Sequence, residues 1–335
     1  MSEILPSVDL DALPAEAPAD IFATPESELP AVPPPYESPF QIVEHTWTGT
    51  DGSVWHLSDP DRGVFIVQED VEGLHLPMTD DINRESPSIA GSRFQGYRVK
   101  ARDVVWPVYV YSDESSAAFY DLEARFFDSM RLGEYGTWRV TRPDGQFREL
   151  RMRPVPVSFS HSRDPGRFGW VQYPVRFLAD ENPFWTTPLE VPGSKSTFDS
   201  KVGENFYGGS AGVGPSFVIS PTSAETSREI YNSGDEDAYS VITVRGPMDF
   251  VDFTIGKRRY HLECNLEAGQ WIKVDTTPLN YSIKDWKGTN RMKSIDNWIF
   301  DPFPARKSTK VEVLAQGLGG GSVVFDIELL YHRAW

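Results

Sequence analysis

Cysteine is almost absent from this 335-residue chain, with Cys264 its only example. That excludes an intramolecular disulfide and any zinc site built from several thiolates, and it suits synthesis in a reducing cytoplasm. Long apolar runs are missing too. No stretch approaches the roughly 20 residues that a bilayer-spanning helix needs. The opening residues, MSEILPSVDLDALPAEAPAD, lack the basic flank and apolar run of a secretory leader. No membrane insertion is expected. Positive charge is scarce: 32 Lys and Arg face 49 Asp and Glu, a net charge of −17. Gripping nucleic acid requires clustered cations, so no specific nucleic-acid binding is expected either.

Catalytic motifs are likewise lacking. The histidines (His45, His56, His75, His161, His261 and His332) are scattered, with no HExxH and no pair at helical spacing. No Gly-x-Ser-x-Gly elbow occurs. The run Gly317–Ser322 is glycine-rich, but it lies between strand patterns with no helix following, so it reads as a flexible hairpin loop. Asp80-Asp81 and Asp235-Glu236-Asp237 read mainly as solvated turn acids, since the EF-hand spacing is absent; calcium at Asp235–Asp237 is the minority alternative. Cys264 reads as a small core residue rather than a nucleophile, because no cation adjoins it. The chain is not expected to be an enzyme, and no catalytic residue, cofactor or metal is assigned.

What is present is unevenly spread. Residues 1–40 hold eight acids, no Lys or Arg, and nine of the 27 prolines. This segment reads as extended or disordered, becoming ordered as a strap along a neighbour. Residues 41–191 hold 23 acids and 16 bases and read as one domain. The Gly/Ser-rich stretch 192–214 reads as a linker. Residues 215–335, with 16 acids and 14 bases, read as a second domain.

Both domains read as mainly β. In the first, Thr137–Arg142 and Phe147–Arg153 alternate with period two around the turn Arg142-Pro143-Asp144-Gly145-Gln146. Val104–Tyr111 and Val171–Leu178 are further strands, and Pro107 and Pro174 place them at sheet edges or bulges. One helix is expected over 115–132, where Phe119, Leu122, Phe126 and Met130 recur at helical steps. Asp113 or Ser115 would cap it, Gly133 would stop it, and Asp121 and Arg125 would pair on its outer face. In the second domain Val241–Val244, Val251–Ile255, Trp271–Val274, Val311–Ala315 and Val323–Tyr331 read as strands of a sandwich or jelly roll. Trp271, Trp286 and Trp298 raise the question of sugar stacking. Packing is the stronger account, and only Trp286 sits in an evidently exposed loop, as a candidate glycan contact.

The order of features resembles the distal tail (Dit) protein family of long, non-contractile-tailed bacteriophages, over roughly residues 41–335. Tyr97-Arg98-Val99-Lys100 leads through the strand Val104–Tyr111 into the helix, and the hairpin at Pro143-Asp144-Gly145 follows. Phe177-Leu178-Ala179-Asp180-Glu181-Asn182-Pro183-Phe184-Trp185 is similar to the family's acidic-Pro-aromatic exit. Tyr231-Asn232-Ser233-Gly234-Asp235, Val244-Arg245-Gly246-Pro247 and Leu266–Thr276 continue the likeness, and Val323–Tyr331 ends it. Two features depart from it: Pro302-Phe303-Pro304-Ala305-Arg306-Lys307 replaces a Pro-Gly-x-Asn turn, and residues 1–40 lie outside it.

The resemblance implies an N-terminal β-sandwich-like domain with one α-helix, followed by a galectin-like or jelly-roll β-sandwich. It implies a structural virion protein of the phage tail tip, assembled in the host cytoplasm. Copies of the chain would form a homo-hexameric ring joining the tail tube protein to the tail-tip hub or baseplate, with receptor-binding proteins nearby. A central channel would pass DNA, and an acidic wall would not hold it by its phosphates. The alternative is a carbohydrate-binding or host-adsorption module. Opposite charges suggest head-to-tail contact. Between Arg139 and Arg167 lie seven bases (Arg139, Arg142, Arg148, Arg151, Arg153, Arg163 and Arg167) against three acids. Between Glu69 and Glu85 lie six acids (Glu69, Asp70, Glu72, Asp80, Asp81 and Glu85) against Arg84 alone. Solvated faces, or pairing within one subunit, account for the same charges about equally well.

Overall fold

Alternation of apolar and polar side chains dictates most of the architecture, because strands that bury one face need period two. The computed structural model describes residues 41–67, 70–86, 88–160, 163–187, 195–199, 223–278, 280–316 and 321–335, and residues 42–335 make one unit. In chain order the first half contains β1 (Glu44–Thr48), β2 (Val54–His56), β3 (Val64–Ile66), β4 (Thr79–Ser86), β5 (Ile89–Val99) and β6 (Arg102–Tyr111). Helix α1 (Ser116–Asp128) follows, then β7 (Gly136–Thr141), β8 (Phe147–Val155), the short α2 (Pro165–Phe168), β9 (Trp170–Ala179) and β10 (Trp185–Thr187). The sheet order is β2-β1-β7-β8-β9-β6-β3, and β10 adds to β8. Strands β4 and β5 stand apart as their own antiparallel pair.

The second half contains β11 (Lys195–Asp199), β12 (Ser223–Tyr231), β13 (Ser240–Arg245), β14 (Met248–Ile255), β15 (Arg258–Leu266) and β16 (Trp271–Asp275). β17 (Ser282–Asp285), β18 (Ser308–Gln316), β19 (Ser322–Ile327) and β20 (Leu329–Tyr331) complete it. A sheet ordered β11-β19-β13-β16-β17 faces one ordered β12-β18-β14-β15, with Phe253 meeting Phe325 between them at a ring distance of 5.9 Å. The chain is mainly β with one long helix, as the alternation implies.

Several local expectations are corrected. The helix ends at Asp128, short of 132; the Ser129 hydroxyl bonds the Phe126 carbonyl there, and Met130 is buried beyond the helical turns. Ser115, not Asp113, is the cap, accepting from the Ala118 N–H. Arg125 reaches the carbonyl of Asp121 rather than its carboxylate. Pro107 and Pro174 lie opposite each other inside the sheet instead of on its edges. Each sits just past the end of the strand on its other side, since β3 stops at Ile66 and β8 at Val155. Val67, just after β3, still donates to the Pro107 carbonyl at 2.8 Å, so only the return bond from a proline N–H is lacking there. The single strand foreseen over Val323–Tyr331 is two. β19 pairs β13, whereas β20 crosses to β10 in the first sheet, although Val323, Phe325, Ile327, Leu329 and Tyr331 are all buried. Within 192–214, residues Lys195–Asp199 form a strand against β19; the rest of that stretch, residues 1–40 and Gly317–Gly320 lie outside the described residues.

The first core is built of indoles. Trp47, Trp106, Trp138 and Trp185 are fully buried, with neighbouring rings 5.5, 5.1 and 4.9 Å apart along that order. Trp47 requires a glycine beside it: a Cβ on Gly136 would lie 2.2 Å from its ring. Trp47 donates to the Ser129 hydroxyl at 3.1 Å, and Trp138 to Nδ1 of buried His45 at 3.2 Å. Burial pushes the His45 pKa down from 6.5 to about 4, so the folded chain holds it neutral while the unfolded chain takes a proton near the ordinary value. The stabilisation is complete above about pH 6.5 and declines as pH falls toward 4, on the order of 2 kcal/mol by pH 4.5. Thermal denaturation between pH 7 and 4.5 checks this: His45→Gln should flatten the decline, and an unchanged slope would contradict it.

Candidate assembly surfaces

The arginine-rich segment forms the β7–β8 hairpin, and the fold finds partners for most of its charges within the chain. Arg139 and Glu149 face each other across the ladder and pair at 2.5 Å, with the guanidinium 4.3 Å above the Phe147 ring. Arg142 pairs Asp144 at 3.0 Å across the turn, where Gly145 supplies a φ of +82°. Arg151 pairs Glu181 and Arg153 pairs Asp180, each at 2.7 Å. Exposed pairs of this kind contribute about 0–1 kcal/mol each. Arg148 differs: it donates to the Arg333 carbonyl at 2.7 Å and lies 3.7 Å over the Tyr331 ring. It anchors the C-terminal strand, so reversing its charge would disturb the fold as well as any contact.

The acidic candidates are scattered. Glu69 lies outside the described residues, and Asp70 is exposed with a φ of +67°. Asp80 and Asp81 stand on β4, where Asp80 pairs Lys100 at 2.6 Å. Asp235, Glu236 and Asp237, expected to be solvated, are engaged instead. Asp235 pairs Arg306 at 2.5 Å and accepts the His332 N–H, Asp237 accepts the Ala305 N–H, and Glu236 binds His332 Nε2 at 2.8 Å. Among the described residues no group of three His, Cys, Asp or Glu could hold a metal. Cys264 is buried, and burial pushes its thiol up to about 12, which leaves it inert.

The β4–β5 hairpin, which sequence reasoning missed, joins no other sheet among the described residues. No described side chain from Thr79 to Val99 is buried, and no third strand among the described residues pairs with either edge. Leu76, Met78, Ile82, Phe94 and Tyr97 are 70, 66, 51, 59 and 49% exposed. A two-stranded ribbon is marginal on its own, and exposed apolar side chains on free edges invite a partner. Its strands contain little regular alternation because neither face meets a core; in the sequence, Ser86-Pro87-Ser88 was the one available turn signal.

At the hairpin's foot Arg102 gathers the chain. Its side chain donates to the carbonyls of Pro183 at 2.6 Å, Gly73 at 2.8 Å, His332 at 2.9 Å, and His75. Burial lowers its pKa to about 10, leaving it charged at neutral pH. Tyr97 in turn donates to Glu236 at 3.2 Å, tying the hairpin to the turn before β13. Two of the tryptophans also depart from expectation: Trp271 points outward from β16 and is 36% exposed, and Trp298 is 58% exposed. Trp286, 36% exposed, follows β17 directly.

No family model matches the chain. Over 162 residues, 48% of its length, it is 24% identical to minor tail protein Gp27 of Mycobacterium phage D29, and it spans about half (48%) of that relative. Among solved structures, the Dit protein of phage SPP1, described as a paradigm of hub adsorption apparatus in phages of Gram-positive bacteria, superposes with a TM-score of 0.52. The match covers 85% of this chain and 98% of that one at 12% identity. A chain of the phage P2 baseplate in its activated conformation gives 0.48, with the same coverage and 14% identity. The fold is Dit-like, and the sequence is related to a phage minor tail protein.

Arg102 is buried and donates to four carbonyls from separate segments, so its loss removes four charge-assisted bonds at one junction. Arg102→Met should cost about 2–4 kcal/mol in denaturant unfolding, and Arg102→Lys, lacking the planar fork, should recover less than half. Loss below about 0.5 kcal/mol would contradict this role.

Proposed function

We propose that this chain is a structural tail-tip protein of a phage, forming a six-fold ring that joins the tail tube to the hub and leaves a channel for DNA. The β4–β5 hairpin carries this reading: a ribbon exposed on both faces, with edges that no other described strand pairs, three large exposed apolar side chains of its own and Leu76 and Met78 exposed just before it, is a contact element awaiting its partner. The Dit-like fold and the minor tail relative support the same place in the virion. Residues 41–191 would form the ring, with residues 215–335 projecting from it. The tail tube protein and the hub are the axial partners, with receptor-binding proteins outside. One chain of this size cannot enclose a channel, so copies must meet through heterologous contacts that close. No reaction is assigned: the titratable groups brought together, such as Asp235, His332 and Arg306, are engaged in holding the C-terminal segment.

Light scattering and negative-stain images of the full chain test the ring. Rings with six times the mass of one chain are expected, alone or with the hub protein. Ile82→Asp with Phe94→Asp should weaken assembly at least tenfold while leaving the melting temperature within a few degrees, because neither side chain is buried. A strict monomer under both conditions would overturn the proposal.

A further inference from the structure

The outward face of the β13-β16-β17 sheet combines cations with exposed tryptophan. The residues facing the sandwich core, Ile242, Val244, Ile272, Val274 and Ile283, are buried, so their neighbours in sequence point to solvent. In register, Arg245 lies opposite Trp271, and Lys273 opposite both Thr243 and Lys284. Trp286 continues the Trp271 row, its N–H bonding the Trp271 carbonyl at 3.0 Å. Lys287 stands 5.4 Å from the Trp286 ring centroid.

Arg245, Lys273, Lys284 and Lys287 are exposed, and none makes an ion pair among the described residues. That contrasts with the paired arginines of the β7–β8 hairpin. Lys273 and Lys284 directly opposite each other repel, a cost that a ligand of opposite charge removes. Two acids adjoin the cluster: Asp275, outward on β16 beyond Lys273, accepts the Thr277 N–H at 3.0 Å, and Asp285 is buried and spends Oδ1 on the backbone N–H groups of Lys287 and Thr289. Asp285 shapes the loop that presents Trp286 rather than neutralising the lysines.

We propose that this face binds an acidic polysaccharide, with sugar rings lying on Trp271 and Trp286 and their carboxylates met by Arg245, Lys273, Lys284 and Lys287. Trp286, one residue past β17, meets Trp271 across the β16–β17 pair, where neighbouring backbones run about 4.8 Å apart, a step close to the length of one sugar ring. Arg245 offers a carboxylate its planar fork beside Trp271. A protein partner fits less well: three of the four cations are lysines, which protein interfaces avoid, and the exposed face contains no aliphatic residue beyond the partly buried Val241. A nucleic-acid strand fits less well because the patch spans only three strands and offers four charges. The inference rests on this sheet and not on ring formation, so the two stand or fall separately.

Titration calorimetry of the full chain with oligogalacturonate at low salt tests it, with neutral maltohexaose and an oligo-dT strand as comparators. Oligogalacturonate should bind at least tenfold more tightly than maltohexaose, and weaken as salt rises. Trp286→Ala, and separately Lys273→Glu with Lys284→Glu, should each reduce that affinity at least tenfold with unchanged melting. The surface lysines keep the test sound if the tryptophan variant fails to fold. Absence of oligogalacturonate binding at millimolar concentration, equal binding by the folded variants, or tighter binding of oligo-dT lost in the same variants would overturn the proposal.

Discussion

A single guanidinium holds together segments that are far apart in the chain. Arg102, at the start of β6, donates to carbonyls at Gly73, His75, Pro183 and His332. Those carbonyls belong to the approach to the β4–β5 hairpin, the exit of the first sheet and the C-terminal segment. The same junction is reinforced by β20, which leaves the sandwich to pair β10, and by Arg148 over Tyr331. The chain end is thereby fastened to the sheet formed earliest in sequence, and the hairpin projects from a braced base. Burying a charge is costly unless its donors are satisfied. Here the donors are satisfied by backbone alone, so the bracing does not depend on the protonation of any acid.

Much of this was legible in the sequence, where a period has one physical meaning. Trp138 and Val140 alternate with Arg139 and Thr141 because one face of β7 meets the indole core, and the structure has that strand. The turn at Asp144-Gly145 was legible because only certain residues accept its geometry. Illegible features were those governed by distant partners. Nothing near Arg102 announces four carbonyls from elsewhere. Glu328 does not reveal that the strand pattern changes sheets there, since both halves bury the same alternate residues. Pro107 and Pro174 forbade ladder bonds, as expected, but the place where neighbouring strands end is set by tertiary structure.

Charge was the least transparent property. Counting acids and bases suggested two opposed patches, yet Arg139, Arg142, Arg151 and Arg153 all meet carboxylates of their own chain. Sign alone cannot distinguish a charge awaiting a neighbour from one already paired; only three-dimensional register does. Lys273 and Lys284 beside Trp271 make no ion pair among the described residues, and exposed Ile82, Phe94 and Tyr97 lie on β4 and β5.

Hydrogen exchange on the full chain, free and incorporated into tail tips, tests the assembly account most directly. Amides of residues 79–99 should exchange quickly in the free chain, because an isolated ribbon opens readily, and slow at least tenfold on incorporation. Those of β6 and β9 should be protected in both states. A hairpin that exchanges equally fast in the assembled tail would show that the contacts lie elsewhere and contradict the account.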